Sequence, residues 1–370
     1  MIQRLYVHNY RCLENFELAL ADLPSSLLIG KNGSGKSTVA QALWVLRSIA
    51  SGKRLGEVLT RTDFSRGRSD VPIRFEVEAK LGGRIYHYRL AAELPSGFRE
   101  FRIREEGLRF DGHYDYFSRE QAQVVLAGER EARFLVDWHL PALPIIQARP
   151  EEEEPLRTFR RWLSAMLILA PVPSLITGDS SGETLVPDRT VRNFGEWFSG
   201  LLRQWPSAYS SIERYLKQVM PDFSAVDNRE VGREAHALSV RFQGDQGHLE
   251  VPFQNLSDGE KCFFVCALVL AAVNTHGPLF CFWDEPDSHL ALSEVGHFVL
   301  DLRRAFQAEG HRGQLVVTSH TPEAIRRFSE ENTLLLYREG HFDPTRCERL
   351  QNMQVPSDLV GALTRDDLVP

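Results

Sequence analysis

Along residues 2–8, IQRLYVH, apolar and polar side chains alternate, and FELAL at 16–20 does so again before a turn at Asp22 to Pro24. A period of two marks a strand with one buried face, so two strands are predicted here. Leu27 to Ile29 form a short unbroken apolar run suited to a buried strand, and the chain from Thr38 onward (Val39, Leu43, Val45, Leu46) suits a helix that packs on a sheet. From Val71 to Tyr116 the alternation is sustained through IRFEVEAKL, GRIYHYRLAAEL and FREFRIREEGLRF, with Gly, Pro or Ser between them. That is the pattern of an antiparallel β-meander. Residues 117–140 (REQAQVVL, then EREARFLVDWHL) read as helical. Pro141, Pro144 and Pro150 then break the chain around the apolar run Leu143 to Ile146, which ends in Gln147.

Amphipathic helices are expected over LRTFRRWLSAMLIL, RNFGEWFSGLLRQW and SIERYLKQVM within residues 156–220, interrupted by a Gly/Ser/Pro-rich loop at 171–187. Trp162, Trp197, Phe198 and Trp205 fall at helical spacing and read as core packing. LSVRFQ at 238–243 and HLEVPF at 248–253 form another pair of strands. CFFVCALVLAAV, from Cys262, is apolar nearly all round, as a buried helix is. Two further apolar strands follow, Pro278 to Trp283 and Gly313 to Thr318. There is no solenoid-length repeat and no sustained heptad. The expected organisation is an α/β class protein, its mixed or parallel sheet flanked by helices. A first part spans 1–116, a helical lobe 117–235, the returning α/β part 236–345 and a tail 346–370.

Composition narrows the class. With 370 residues, 43% hydrophobic and 25% charged, the chain has the make-up of an ordinary globular protein. No run approaches the roughly 18 apolar residues of a membrane span, and the N-terminus lacks a signal-peptide core. The chain is expected to be cytoplasmic, with no membrane partner. A net charge of −7 argues against a uniformly basic nucleic-acid surface. The local cluster Lys53, Arg54, Arg61, Arg66 and Arg68, in the Gly- and Ser-rich stretch 51–70, reads as a solvated connection or as a phosphate-backbone contact. Glu151 to Glu154 reads as a charged loop and helix start. Five cysteines without a CxxC pair point to reduced, buried thiols. His276, His289 and His297 have no metal-ligand spacing.

The candidate chemistry begins between the predicted strand and helix. Gly30 to Ser37 fits G-x-x-x-x-G-K-[ST] at every fixed position, in the strand–loop–helix setting that a phosphate-binding loop requires. Its glycines allow successive N–H groups to point at one anion, and the helix N-terminus adds partial positive charge. The candidate nucleotide residues are Gly30, Asn32, Gly33, Ser34, Gly35, Lys36, Ser37 and Thr38. Lys36 is expected to reach the β- and γ-phosphates and Ser37 to ligate Mg²⁺. At 255–261, NLSDGEK offers Ser257, Gly259 and Glu260 at the start of the apolar helix, a second anion-facing element; taken alone it is a modest signal, since Ser-Asp-Gly is also an ordinary turn with an N-cap. Asp284 ends an apolar strand, where it can hold Mg²⁺, and Glu285 can orient and deprotonate water, unless Asp-Glu-Pro is merely a surface turn. His320 ends the next strand; such a residue by itself is usually structural.

The order of these pieces resembles the ATP-binding cassette class of P-loop ATPases. The resemblance implies Walker A at Gly30 to Ser37, the signature at Leu256 to Lys261, and Walker B with its catalytic glutamate at Leu279 to Glu285. It further implies the D-loop at Asp287 and a switch histidine at His320. The opening, IQRLYVHNYRCLENFEL, and a long insertion between the first two motifs are similar to RecF-, SMC- and OLD-type heads. They resemble in particular bacterial predicted ATPases without coiled coils, found beside nucleases in phage-defence or DNA-maintenance operons. That likeness implies that Arg11 supports the nucleotide or the phosphate loop and makes Gln147 the candidate Q-loop glutamine, contacting Mg²⁺ and water. The implied activity is ATP hydrolysis with ATP and Mg²⁺ in sites shared by a head-to-tail pair of copies. The implied partners are that second copy, a separate effector or nuclease, and DNA. Two features depart from the pattern: the D-loop reads Asp287-Ser288-His289-Leu290 without the frequent glycine, and Asp258 stands at the first glycine position of the signature. About 50 residues follow His320, too few for a Toprim nuclease, so the chain is expected to cleave no nucleic acid itself. A transporter's nucleotide-binding subunit and an ATP sensor with little turnover are the competing readings.

Overall fold

The computed structural model describes residues 1–112, 114–127, 131–148, 154–232, 235–245, 247–308, 313–353 and 361. Its first strands follow the alternation: β1 (Ile2–His8) buries Ile2, Leu5 and Val7, with a bulge between Ile2 and Arg4 that keeps Ile2 and Leu5 on one face. Next come β2 (Phe16–Ala19), β3 (Ser25–Ile29), α1 (Lys36–Ala50) and the single turn α2 (Leu55–Val58). The meander is present as β4 (Ile73–Leu81), β5 (Arg84–Glu93) and β6 (Arg102–Phe110), all antiparallel. It does not stop there. Residues expected to be helical form β7 (Tyr114–Glu120), β8 (Gln123–Leu126) and β9 (Ala132–Leu135). The 117–140 helix is thus corrected to strands, giving an eight-stranded sheet in the order β2-β1-β4-β5-β6-β7-β8-β9. Phe117, Arg119 and Val124 point inward, and pairing satisfies the backbone of β6, which outweighs the helical propensity of Glu, Gln and Ala. Helix α3 (Pro155–Ser164) follows, started by buried Glu154, whose carboxylate accepts the Arg157 N–H at 2.7 Å. The remaining acidic residues, 151–153, lie outside the described residues.

The expected helix ends early, because Leu167–Leu169 is strand β10, buried at every position. After it come β11 (Asp179–Ser180), α4 (Phe194–Gln204), α5 (Ala208–Val219), β12 (Phe223–Glu230), β13 (His236–Gly244) and β14 (Gly247–Pro252). Then follow α6 (Asp258–Thr275), β15 (Leu279–Trp283), α7 (Leu292–Gln307), β16 (Gly313–Thr318) and α8 (Pro322–Ile325). The chain returns through β17 (Thr333–Tyr337) and β18 (Arg346–Arg349). Two compact units result: residues 1–166 with the chain from Glu330 onward, and residues 167–329.

In the first unit β17 runs parallel to β3 and antiparallel to β18. The stretch 51–70 is not a loose connection. Its turns dock on the Asn-Tyr-Arg segment: Asn9 donates to the carbonyls of Arg68 (2.9 Å) and Val71 (2.6 Å), and the Arg11 N–H donates to Asp63 O at 2.7 Å. Arg66 and Arg68 pair with Glu14. A buried polar cluster ties the far strands together. The fully buried Glu106 carboxylate accepts from Tyr88 (2.9 Å) and from the N–H groups of Ala142 (2.7 Å) and Leu143 (2.9 Å), with Arg119 3.5 Å away. Burial pushes this carboxyl up, against those donors and the guanidinium.

In the second unit β10, β15 and β16 are parallel neighbours, while β11, β12 and β14 pair antiparallel with β13. Helix α6 is buried nearly all round; Phe264 meets the rings of Phe194, Phe223 and Phe253. Trp197 and Phe198 here, like Trp162 in the first unit, are core residues, as their spacing suggested, whereas Trp205 is half-buried against the His276 ring. All five cysteines are free, and Cys262, Cys266 and Cys281 are buried.

Candidate functional site

The phosphate loop lies in the first unit, between the all-buried β3 and α1. Gly35 caps the helix in the left-handed region (φ 108°), so the first N–H groups of α1 open toward the loop. Lys36 is buried, its ammonium donating to the carbonyls of Gly30 (2.7 Å) and Lys31 (3.2 Å), while Asn32, Gly33 and Ser37 are exposed. The loop therefore leaves Asn32, Gly33 and Ser37 toward solvent, with the lysine charge folded into its centre, while the N–H groups of Ser34 and Thr38 are held by Lys31 O (3.1 Å) and Gly35 O (3.0 Å). Ser34 is buried and Thr38 half-buried; Thr38 accepts from the Cys12 thiol at 3.6 Å.

Residues outside the motif hold the loop's shape. The Thr345 hydroxyl donates to Ser34 O at 2.8 Å and its N–H to Cys12 O at 2.9 Å. A Cβ on Gly35 would meet Thr345 Oγ1 at 2.6 Å and Cys12 Sγ at 3.2 Å, and one on Gly30 would overlap the carbonyl oxygen of Leu336. Arg11, itself at φ 52°, extends to Asp63, Nε to Oδ1 2.7 Å. Its neighbour Cys12, rather than its guanidinium, makes these recorded contacts with the loop. Gln147 is exposed in the same unit, just beyond the turn that Glu106 anchors.

In the second unit the carboxyl ends of β10, β15 and β16 build a carboxylate cluster. The Asp284 N–H donates to Leu169 O at 2.7 Å, and the register that pairs Trp283 with Val317 brings Asp284 beside Thr318. The buried Thr318 hydroxyl donates to Asp284 Oδ1 (2.7 Å) and accepts the Glu285 N–H (2.9 Å). Arg189 Nη2 stands 3.7 Å from Asp284 Oδ2. Glu285 is left-handed (φ 49°), a conformation that costs a non-glycine residue energy and turns its carboxylate outward. Its Oε1 lies 3.6 Å from His320 Nε2, and both side chains are about half exposed (49% and 43%). Asp287 is buried and accepts from Ser319 Oγ (2.7 Å) and Thr321 Oγ1. Asp284, Glu285, Asp287 and His320 are thus one cluster, knitted by hydroxyls from the strand end.

The signature segment begins α6. Ser257 is its N-cap, accepting the Glu260 N–H at 3.3 Å while Glu260 Oε2 accepts the Ser257 N–H at 2.7 Å. The ordinary capping role is therefore real, and Ser257 is still exposed. A Cβ on Gly259 would lie 3.1 Å from the carbonyl oxygen of His289, so the signature glycine abuts the D-loop segment. Sequence reading missed Cys12, Arg189, Thr318, Ser319, Thr321 and Thr345. The alternation of hydroxyls around His320, TSHT, was the one visible signal.

A strand–phosphate loop–helix unit, with a strand-end carboxylate cluster on parallel strands, defines a P-loop ATPase. Residues 25–326 match the family described as "AAA domain, putative AbiEii toxin, Type IV TA system", and the chain belongs to it. No curated protein matches the chain. The fold is similar to that of a solved SMC head bound to the C-winged helix domain of ScpA (TM-score 0.51, 13% identity, covering 95% of this chain and 98% of that one). It is also similar to an SMC head with an extended coiled coil, bound to the C-terminal domain of ScpA from Pyrococcus furiosus (TM-score 0.52, 13% identity, 99% of each chain). The architecture is that of these SMC heads. Among the described residues the longest helix is α6, with 18 residues, and no helix is long and apolar enough to cross a membrane.

Proposed function

We propose that the chain hydrolyses ATP as a switch: two copies join head-to-tail on ATP and separate after hydrolysis, driving a separate effector or nuclease in a DNA-linked or defence setting. The observation that carries this is the Glu285–His320 pair, 3.6 Å apart at the end of the Asp284 strand, with both side chains open to solvent. Lys36 and the N–H groups from Gly30 to Thr38 would bind the phosphates, and Arg11 would support that loop. Ser37 and Asp284 are hard oxygen donors of the kind Mg²⁺ takes alongside nucleotide phosphates, and Gln147 would complete that set. Bound Mg²⁺ would neutralise the charge that develops on the phosphates.

Glu285 is placed to orient and deprotonate water, and His320 to stabilise charge on the transferring group. Ser257, Gly259, Glu260 and Asp287 of one copy would close on the γ-phosphate held by the other. The family's description, "putative AbiEii toxin, Type IV TA system", supports the defence setting, and the ScpA-bound SMC head supports a protein partner for such a fold.

Phosphate release by the purified protein, with and without duplex DNA, tests this reading beside a Glu285→Gln variant. The variant is expected to lose about 10²–10³-fold in turnover while retaining ATP, and to elute as a dimer when ATP is present. Parental turnover in the variant would remove Glu285 from its role. Turnover indifferent to DNA would move the switch away from a DNA trigger and toward a protein one.

A further inference from the structure

The chain that leaves β17 crosses the phosphate loop before returning as β18. The Leu336 carbonyl fills the space over Gly30, Thr345 fills that over Gly35, and between them Arg338 comes to Gly33, its Nη2 3.2 Å from where a Cβ would stand. Each of the loop's three glycines is thus matched to a residue of 336–345. The two flanking residues are buried, and Thr345 Oγ1 bonds Ser34 O at 2.8 Å. Arg338 is different. It is half-buried, and no hydrogen bond or ion pair with a described residue holds it. Several other arginines of this unit are held by carboxylates: Arg11 by Asp63, Arg66 and Arg68 by Glu14, Arg4 by three glutamates.

We infer that Arg338 is a phosphate-binding residue of the nucleotide site, supplied by the β17–β18 connection and not by any of the recognised motifs. The inference rests on the reading of Gly30 to Ser37 as a nucleotide loop. Side chains around such a ring of N–H groups diverge from its centre, so a guanidinium over Gly33 stands at the rim. There it meets phosphate oxygens that project beyond the ring, and its planar fork suits them. A ring of N–H donors carries only partial charges, and Lys36 is one cation. A second full charge at the rim favours the more highly charged ligand, so Arg338 distinguishes ATP from ADP. Arg338 directly follows β17, and the connection turns at Gly340 to Asp343, closed by the Asp343 N–H on Gly340 O at 3.2 Å.

The test is calorimetric titration of the full chain with ATP, ADP and tripolyphosphate, comparing parent, Arg338→Met, Arg338→Lys and Lys36→Ala. Methionine keeps an apolar stem over Gly33 and removes only the charge. Arg338→Met is expected to weaken ATP and tripolyphosphate about tenfold, as the loss of one charged hydrogen bond does. ADP should weaken less, and the unliganded melting temperature should not change. Arg338→Lys should recover most of the loss. If Arg338→Met binds ATP within about twofold of the parent, or weakens ATP and ADP alike with a lowered melting temperature, Arg338 is only a packing residue. If the parent itself binds ATP no better than Lys36→Ala, the nucleotide reading of the loop fails, and this inference falls with it.

Discussion

Thr318 carries one hydroxyl with two partners: it gives its proton to Asp284 and takes that of the Glu285 N–H. Valine has the same shape and can do neither, leaving the part-buried Glu285 N–H without its partner and the left-handed Glu285 without its tether. Thr318→Val is therefore expected to lower ATP turnover about 10–100-fold, because small displacements at a reacting centre are costly. Nucleotide affinity should stay near parental, since the phosphate loop is untouched; single-turnover hydrolysis beside equilibrium binding separates the two. Reading the chain alone reaches Asp284, Glu285 and His320, whose types and order carry the chemistry. It does not reach Thr318. That residue's value depends on the register between β15 and β16, which follows from pairing rather than from any local pattern. Arg189 is invisible for the same reason, lying far along the chain from the Asp284 carboxylate it faces.

Among the elements, the eight-stranded sheet divides cleanly into a legible half and an illegible one. β4 follows the alternation throughout and β5 and β6 over part of their length, with Phe75, Val77, Tyr88, Leu90, Ile103 and Leu108 all buried. β7 and β8 do not, because their inward side includes Arg119, a residue that ordinarily marks a solvent face. What makes it an interior residue is Glu106 on the adjacent strand, together with the carbonyls of Asp137, Leu140 and Gln121, to which the guanidinium donates. Arg119→Met should therefore take the cation from the buried Glu106 carboxyl and leave the carbonyls of Asp137, Leu140 and Gln121 without their donor, destabilising the fold by about 3–5 kcal/mol. Urea unfolding measures the loss. Amide exchange at Ala142 and Leu143, whose N–H groups bond to Glu106, should accelerate ahead of the rest of the sheet.

For the whole molecule, the motif order pointed to a P-loop ATPase, which the family match bears out, because each piece has a distinct chemistry and a fixed place along the chain. The returning strands β17 and β18 had no motif and no expectation, yet they complete the environment of the phosphate loop. If hydrolysis needs two copies, activity per molecule is not constant. Specific ATP turnover should rise with protein concentration and level off as the pair saturates, and a dilution series with a fixed excess of ATP reads this directly. A turnover per molecule independent of concentration throughout would point to a self-sufficient monomer. The clamp of Thr345 on Ser34 also carries a consequence for synthesis. At ~5–20 residues per second, Thr345 is translated roughly 15–60 s after the loop it braces. A nascent chain therefore exposes its glycine loop long before the residues that shape it exist, and high-affinity ligand capture becomes a property of late translation.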